Sequence, residues 1–156
     1  MNFEELMLRA LTNAESFKYT AKPNPVVGAI LWNGNEIISE GYHEVYGSHH
    51  AEINAISDAK KFLGKKFDNF SELTLICTLE PCSHVGKTGS CAKKIVSTGI
   101  KKVVIGSIDP NPKVAGKGIE ILKENGVDVV VGIHEDIVKN QNKYFFFKHT
   151  LSLIHI

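Results

Sequence analysis

Apolar residues early in the chain change period, and the change marks the passage from helix to sheet. Phe3, Leu6, Met7, Ala10, Ala14 and Phe17 recur at three- and four-residue intervals, the spacing of one helical face. Asn2, with Glu5 three positions on, supplies an N-cap and a capping-box partner, so a helix is predicted over 2–19. Val26 to Trp32 is a nearly continuous apolar run, Asn33-Gly34-Asn35 a turn, and Glu36 to Gly41 a second strand. Together they make a hairpin. After a loop at 42–49 rich in His, Tyr and Gly, helical periodicity returns from Ala51 to Phe62. Leu73 to Thr78 has the length and β-branching of a buried strand. Pro81 to Gly89 reads as a loop and Cys91 to Thr98 as a short helix. Then come a strand at Val103 to Ile108, a Pro/Gly/Asn-rich loop, a helix at 118–125, a strand at Val127 to Val131 and a helix at 134–147.

Beyond the hairpin, helix and strand alternate. That pattern predicts an α/β fold: a three-layer α/β/α sandwich around a five-stranded mixed sheet, the first strand pair antiparallel and the later strands parallel. In open sheets of this kind ligands sit beyond the carboxyl ends of the strands. Those ends lead into 42–50, 78–91 and 108–117.

Composition narrows the class. At 156 residues, 43% hydrophobic and 22% charged, the chain suits one domain with a core of its own. A formal net charge of +1, without a basic, aromatic-studded stripe, argues against a nucleic-acid or membrane partner. Three cysteines fit a disulfide framework poorly and suit a reducing compartment. The acidic start Met1-Asn2-Phe3-Glu4-Glu5 does not resemble a signal peptide, and no apolar run reaches bilayer-spanning length. A cytoplasmic protein is expected.

The strand exits hold His50, Cys82 and Cys91. Two thiolates and an imidazole leave one tetrahedral position open, as at a catalytic zinc. His50 and Cys91 sit at predicted helix starts, where the partial positive charge favours a thiolate. Glu52 follows His50 by two residues and is placed to move protons at a zinc-bound water. On an ideal helix, however, the two side chains would point about 160° apart, so both serve one metal only if it lies just off the helix N-terminus. Taken singly, each feature has a plainer reading: His-x-Glu arises by chance, and free cysteines are usually small core residues. Cys77, in mid-strand, is read as one of those.

His50-Ala51-Glu52 followed by Pro81-Cys82 and a later cysteine resembles the zinc deaminase signature H-x-E…P-C-x-x-C, with eight residues instead of two between the cysteines. Three blocks carry a closer likeness: Pro23-Asn24-Pro25-Val26-Val27-Gly28, Thr78 to Thr88 (TLEPCSHVGKT), and Asp109 to Gly118 (DPNPKVAGKG). They resemble the deaminase domain of the bifunctional riboflavin-biosynthesis deaminase/reductase, over about residues 3–148. The resemblance implies a cytidine-deaminase-like fold and zinc as cofactor. It implies as substrate 2,5-diamino-6-ribosylamino-4(3H)-pyrimidinone 5′-phosphate, hydrolysed at C2 with release of ammonia. It places Asn24, His43, Lys87, Asp109 and Asn111 on that substrate. Asn24 and Asn111 each precede a proline, which restricts their backbone, although Asn-Pro pairs also simply make turns. Lys113 and Lys117 are further phosphate candidates, with a solvated loop lysine the plainer reading.

The resemblance also implies a homo-oligomer normally fused to an NADPH-dependent reductase domain. No G-x-G-x-x-G fingerprint between a strand and a helix is present here. Residues 1–148 are therefore expected to form the zinc deaminase domain, and 149–156 a linker remnant. Its last six residues, Leu151 to Ile156, depart from the family pattern and read as a non-native tail. The rival readings are a deaminase for another base or nucleotide, against which the Lys87 loop argues, and a non-catalytic zinc module, against which Glu52 argues.

Overall fold

The computed structural model describes residues 1–45, 48–83, 90–112, 114–143 and 145–147. Five strands form one sheet in the order β2-β1-β3-β4-β5: β1 (Gly28–Trp32), β2 (Ile37–Tyr42), β3 (Thr74–Leu79), β4 (Lys102–Ser107) and β5 (Asp128–Val131). β1 runs antiparallel to both β2 and β3, while β3, β4 and β5 are mutually parallel. The expected hairpin and the parallel later strands are both present.

The helices are α1 (Phe3–Ala14), α2 (Ala51–Ala59), α3 (Cys91–Thr98), α4 (Lys117–Glu124) and α5 (Glu135–Gln141). Helices α2, α3 and α4 cover one face, where Ala55, Ile56, Ile95, Ile119 and Leu122 pack on Leu31, Leu75, Val103 and Ile105. On the other face α1 and α5 bring Leu6, Met7, Ala10 and Val138 onto Ile30, Ile76 and Val104. Alternate residues of β1, β3 and β4 thus serve opposite cores. Strands with both faces buried read as continuous apolar runs for this reason.

Two helices are shorter than their periodicity predicts, and a third is interrupted. α1 starts as expected, with Asn2 Oδ1 accepting from Glu5 N–H at 2.9 Å, but tightens to a 3₁₀ turn at Glu15–Phe17. The Ser16 hydroxyl donates there to Asn13 O at 3.0 Å, a local bond that competes with helix continuation. α2 likewise ends in a 3₁₀ turn at Lys60–Phe62 before Leu63 turns extended. Past α5, helical backbone returns at 143 and 145–147 after a turn at Asn142. Its Oδ1 accepts from Val26 N–H (2.7 Å) and its Nδ2 donates to Val26 O (3.0 Å). This buried amide takes the place of a strand partner at the entry to β1.

Candidate active site

The site is built where α2 meets β2. A Cβ at Gly41 would overlap Ala51 O and Ala55 N, so glycine lets the first turn of α2 press against the strand. From within that turn, Asn54 Nδ2 donates to Tyr42 O (2.8 Å) and His49 O (3.3 Å). These bonds tie down both ends of the loop that delivers His50.

His50 is the N-cap of α2, with extended backbone (φ −70°, ψ 162°). Outside the helical geometry, its side chain is released from the divergence expected between positions 50 and 52. Its Nδ1 lies 3.2 Å from Cys91 Sγ and 3.7 Å from Cys82 Sγ. All three ligand atoms lie within 4.8 Å of one another. A tetrahedral zinc with ordinary Zn–N and Zn–S lengths needs N···S separations of about 3.6 Å, so the donor set and spacing fit that ion. Among the described residues the cluster holds three ligands.

α3 supplies the rest of the cradle. The Ser90 side chain caps it, accepting from Lys93 N–H (3.2 Å) and donating to Cys82 O (3.1 Å). Ala92 N–H also donates to Cys82 O (3.0 Å), and Cys91 N–H donates to Cys82 Sγ (3.3 Å). The start of α3 thereby wraps the residue that leaves β3. The hydrogen bond from Cys91, with His50 close by, pulls the Cys82 thiol down, while the Cys91 thiol, donating to Cys82 and buried, is pushed up. A bound zinc would hold both as thiolates. Cys77 is fully buried in β3, and burial pushes its thiol up, in keeping with a core role.

Glu52, in the first turn of α2, is only 3% exposed. Burial raises its carboxyl above the usual carboxylate range, opposed by His50 and by a hydrogen bond with Cys91. The carboxyl therefore faces the sulfur cluster. His50, Cys82 and Glu52 form one wall of a cleft of about 290 Å³, and Asn24, His43, Asp109 and Asn111 line the same cleft. Asn24 Nδ2 lies 3.1 Å from His43 Nε2, and His43 Nδ1 lies 3.3 Å from His49 O. The two contacts are satisfied together when His43 carries its proton on Nδ1 and Asn24 donates to Nε2. Burial lowers the His43 pKa, which keeps the ring neutral. That pairing uses an N–H of Asn24 and leaves its carbonyl oxygen to accept. Across the cleft, Asp109 Oδ1 accepts from Asn111 N–H at 2.9 Å.

The structure thus brings together all the predicted site residues except Lys87, which lies outside the described residues, as does Lys113. Lys117 is exposed on α4. Sequence reasoning missed Ser90, Asn54, Asn142 and Glu80, whose partners are backbone atoms. Ser90 carried a usable signal, a serine directly before a predicted helix start.

A three-ligand cluster gathered from two helix starts and the exit of β3, with a buried carboxyl beside it, is the arrangement of the zinc-dependent deaminases. Residues 1–107 match the family described as the cytidine and deoxycytidylate deaminase zinc-binding region. The chain is 42% identical over 140 residues to the diaminohydroxyphosphoribosylamino-pyrimidine deaminase of Buchnera aphidicola subsp. Schizaphis graminum, covering 90% of each. It is 39% identical over 145 residues to the riboflavin biosynthesis protein RibD of Escherichia coli, covering 93% of this chain and 38% of that one. Among solved structures, the Thermotoga maritima diaminohydroxyphosphoribosylaminopyrimidine deaminase/5-amino-6-(5-phosphoribosylamino)uracil reductase superimposes with a TM-score of 0.87 at 41% identity. That match covers 96% of this chain and 42% of the other. The chain belongs to the diaminohydroxyphosphoribosylaminopyrimidine deaminase family. It spans nearly all of the Buchnera protein and about two-fifths of the longer relatives.

Proposed function

We propose that this chain hydrolyses the C2 amine of 2,5-diamino-6-ribosylamino-4(3H)-pyrimidinone 5′-phosphate, giving 5-amino-6-ribosylamino-uracil 5′-phosphate and ammonia. The observation that carries the reading is the buried Glu52 carboxyl beside a cluster of three ligands, within the cleft that Asn24 and Asn111 line. His50, Cys82 and Cys91 would hold the zinc, which when bound supplies the Lewis acidity that makes water a nucleophile near neutral pH. Glu52 takes one proton from the attacking water and gives it to the ring nitrogen, then takes the second from the hydroxyl left on C2 and gives it to the amine, so that ammonia leaves as the C2 carbonyl forms. Asn24 and Asp109 accept from the amines of the ring, while neutral His43 holds Asn24 in register. Lys87 is assigned to the phosphate.

Residues 1–148 form the deaminase unit in this reading. Fusion to a reductase domain is supported by the share of the longer relatives that the chain spans. Residues 149–156 are read as a linker remnant ending in a non-native tail, and self-association belongs to the same proposal. Sequencing the locus beyond Thr150 tests the boundary: an open frame into a reductase supports it, a stop after Ile156 overturns it. Among the described residues, no helix is long and apolar enough to cross a membrane.

The functional test is ammonia release by the zinc-loaded protein from a panel of aminopyrimidine nucleotides. Turnover confined to the diaminopyrimidine supports the assignment. Turnover only of cytosine or deoxycytidylate substrates, or zinc binding with no turnover at all, rejects it.

A further inference from the structure

Glu80 follows β3 directly and stands two residues before Cys82. Its side chain is buried, at 7% exposure, where a carboxylate is costly unless hydrogen-bonded. Here it is bonded entirely to backbone. Oε1 accepts from Asp109 N–H (3.1 Å) and Gly116 N–H (3.0 Å). Oε2 accepts from Gly118 N–H (2.9 Å) and Ile119 N–H (3.2 Å). Bonds from N–H to a carboxylate are among the stronger kind, and three of these donors belong to the opening of α4, whose dipole also favours the negative charge.

The four donors lie at the two ends of one segment. Asp109 opens it and Gly116, Gly118 and Ile119 close it, so the carboxylate acts as a staple across the loop. Inside the staple, Asp109 holds Asn111 through the bond already described. At the closing end a Cβ on Gly118 would overlap Pro81 O, so only glycine lets the start of α4 reach Glu80. On its other side, Glu80 N–H donates to Ser107 O at 2.9 Å, which carries the β3–β4 pairing one step past Leu79. A single side chain therefore links the strand end that delivers Cys82 to the loop that delivers Asp109 and Asn111.

We propose that Glu80 is a positioning residue for substrate recognition: by stapling the 109–119 segment it sets where Asp109 and Asn111 stand relative to the metal ligands. The inference rests on the functional reading above in taking those two residues as substrate contacts. Glu80→Gln preserves the shape of the side chain, but its amide nitrogen would face two N–H groups it cannot accept from.

The test uses the zinc-loaded chain with two readouts. Glu80→Gln should keep its zinc, raise KM for the diaminopyrimidine nucleotide by about tenfold or more, and leave kcat within about threefold. Amide exchange at Asp109, Gly116, Gly118 and Ile119 should accelerate by about tenfold or more. A fall in kcat with KM unchanged overturns the proposal, as does unchanged exchange at those four amides. Should Glu80→Gln fail to fold, the wild-type chain decides. Joint protection of the four amides by about a hundredfold or more supports the staple, and exchange at the rate of exposed loop amides overturns it. Wild-type protein that releases no ammonia from this nucleotide rejects the substrate assignment instead, and the exchange readout then judges the staple by itself.

Discussion

The two walls of the cleft are built differently. On the side to which we assign the metal, His50, Glu52 and Cys91 stand at or within the first turns of α2 and α3, and Cys82 lies just past β3. Regular elements packed on a common core fix these groups, as chemistry at a single atom demands. On the other side, to which we assign recognition, Asn24, His43, Asp109 and Asn111 come from loops, and side chains that bond to backbone hold them: Glu80 at 109–119, Asn142 at Val26 and Asn54 at Tyr42 and His49. A scaffold divided in this way can hold one wall constant while the other varies. A loop can be re-cut by moving its anchor, whereas a helix start cannot move without the core.

The sharpest way to break the contrast is to remove a ligand. Cys82→Ala or Cys91→Ala should lose both zinc and turnover, and metal analysis beside an ammonia assay reads both. Glu52→Gln should separate the two properties. Zinc content stays, and kcat falls on the order of a hundredfold or more, the scale of a lost general acid/base.

The recognition wall should respond in other currencies. Asn142→Ala leaves the Val26 N–H and C=O buried without their partner and should cost about 2 kcal/mol in chemical denaturation. Lys87→Ala should raise KM several-fold to about tenfold with a smaller change in kcat.

The mildest effect belongs to the far edge of β2, away from both walls. Glu40 accepts from Arg9 Nε at 2.6 Å and from Tyr42 OH at 3.2 Å. The bond from Arg9, more than any other influence, holds its carboxyl below the usual carboxylate range. A carboxyl whose folded pKa is depressed adds stability above its unfolded pKa and loses it as the pH falls through the folded one. Half-exposed Arg9 is well screened, so Glu40→Gln should cost about 0.5 kcal/mol at neutral pH. The gap to wild type should close on acidification, as urea midpoints across pH would show.

Legibility in the sequence follows the same division. Helix α3 begins at Cys91 and ends at Thr98 as its periodicity predicts, and every predicted strand is present within two residues at each end. Local patterning decides such elements. His50, Cys82, Cys91 and Glu52 could be singled out in the sequence because zinc chemistry restricts residue types sharply, and the structure gathers the ligand atoms of the first three within 4.8 Å of one another. The divergence expected between His50 and Glu52 rested on an ideal helix, and the extended backbone at the N-cap removes it. Glu80 and Asn142 were not legible. Their partners lie 29 to 39 and 116 positions away, and nothing in the neighbouring residues signals a bond to distant backbone. The helix predicted over 134–147 is found as α5 with helical backbone again at 143 and 145–147, but its periodicity could not register the turn at Asn142, whose side chain bonds to the entry to β1.

That bond has a practical bearing on how the molecule is divided. The sheet is complete at Val131, yet a cut there would discard the amide that secures Val26 together with Phe145, which lines the cleft. The smallest piece worth expressing must reach past this aromatic stretch. The tail of the last helical stretch is thus part of the cleft's own wall, and trimming it would open the pocket before it touched the sheet.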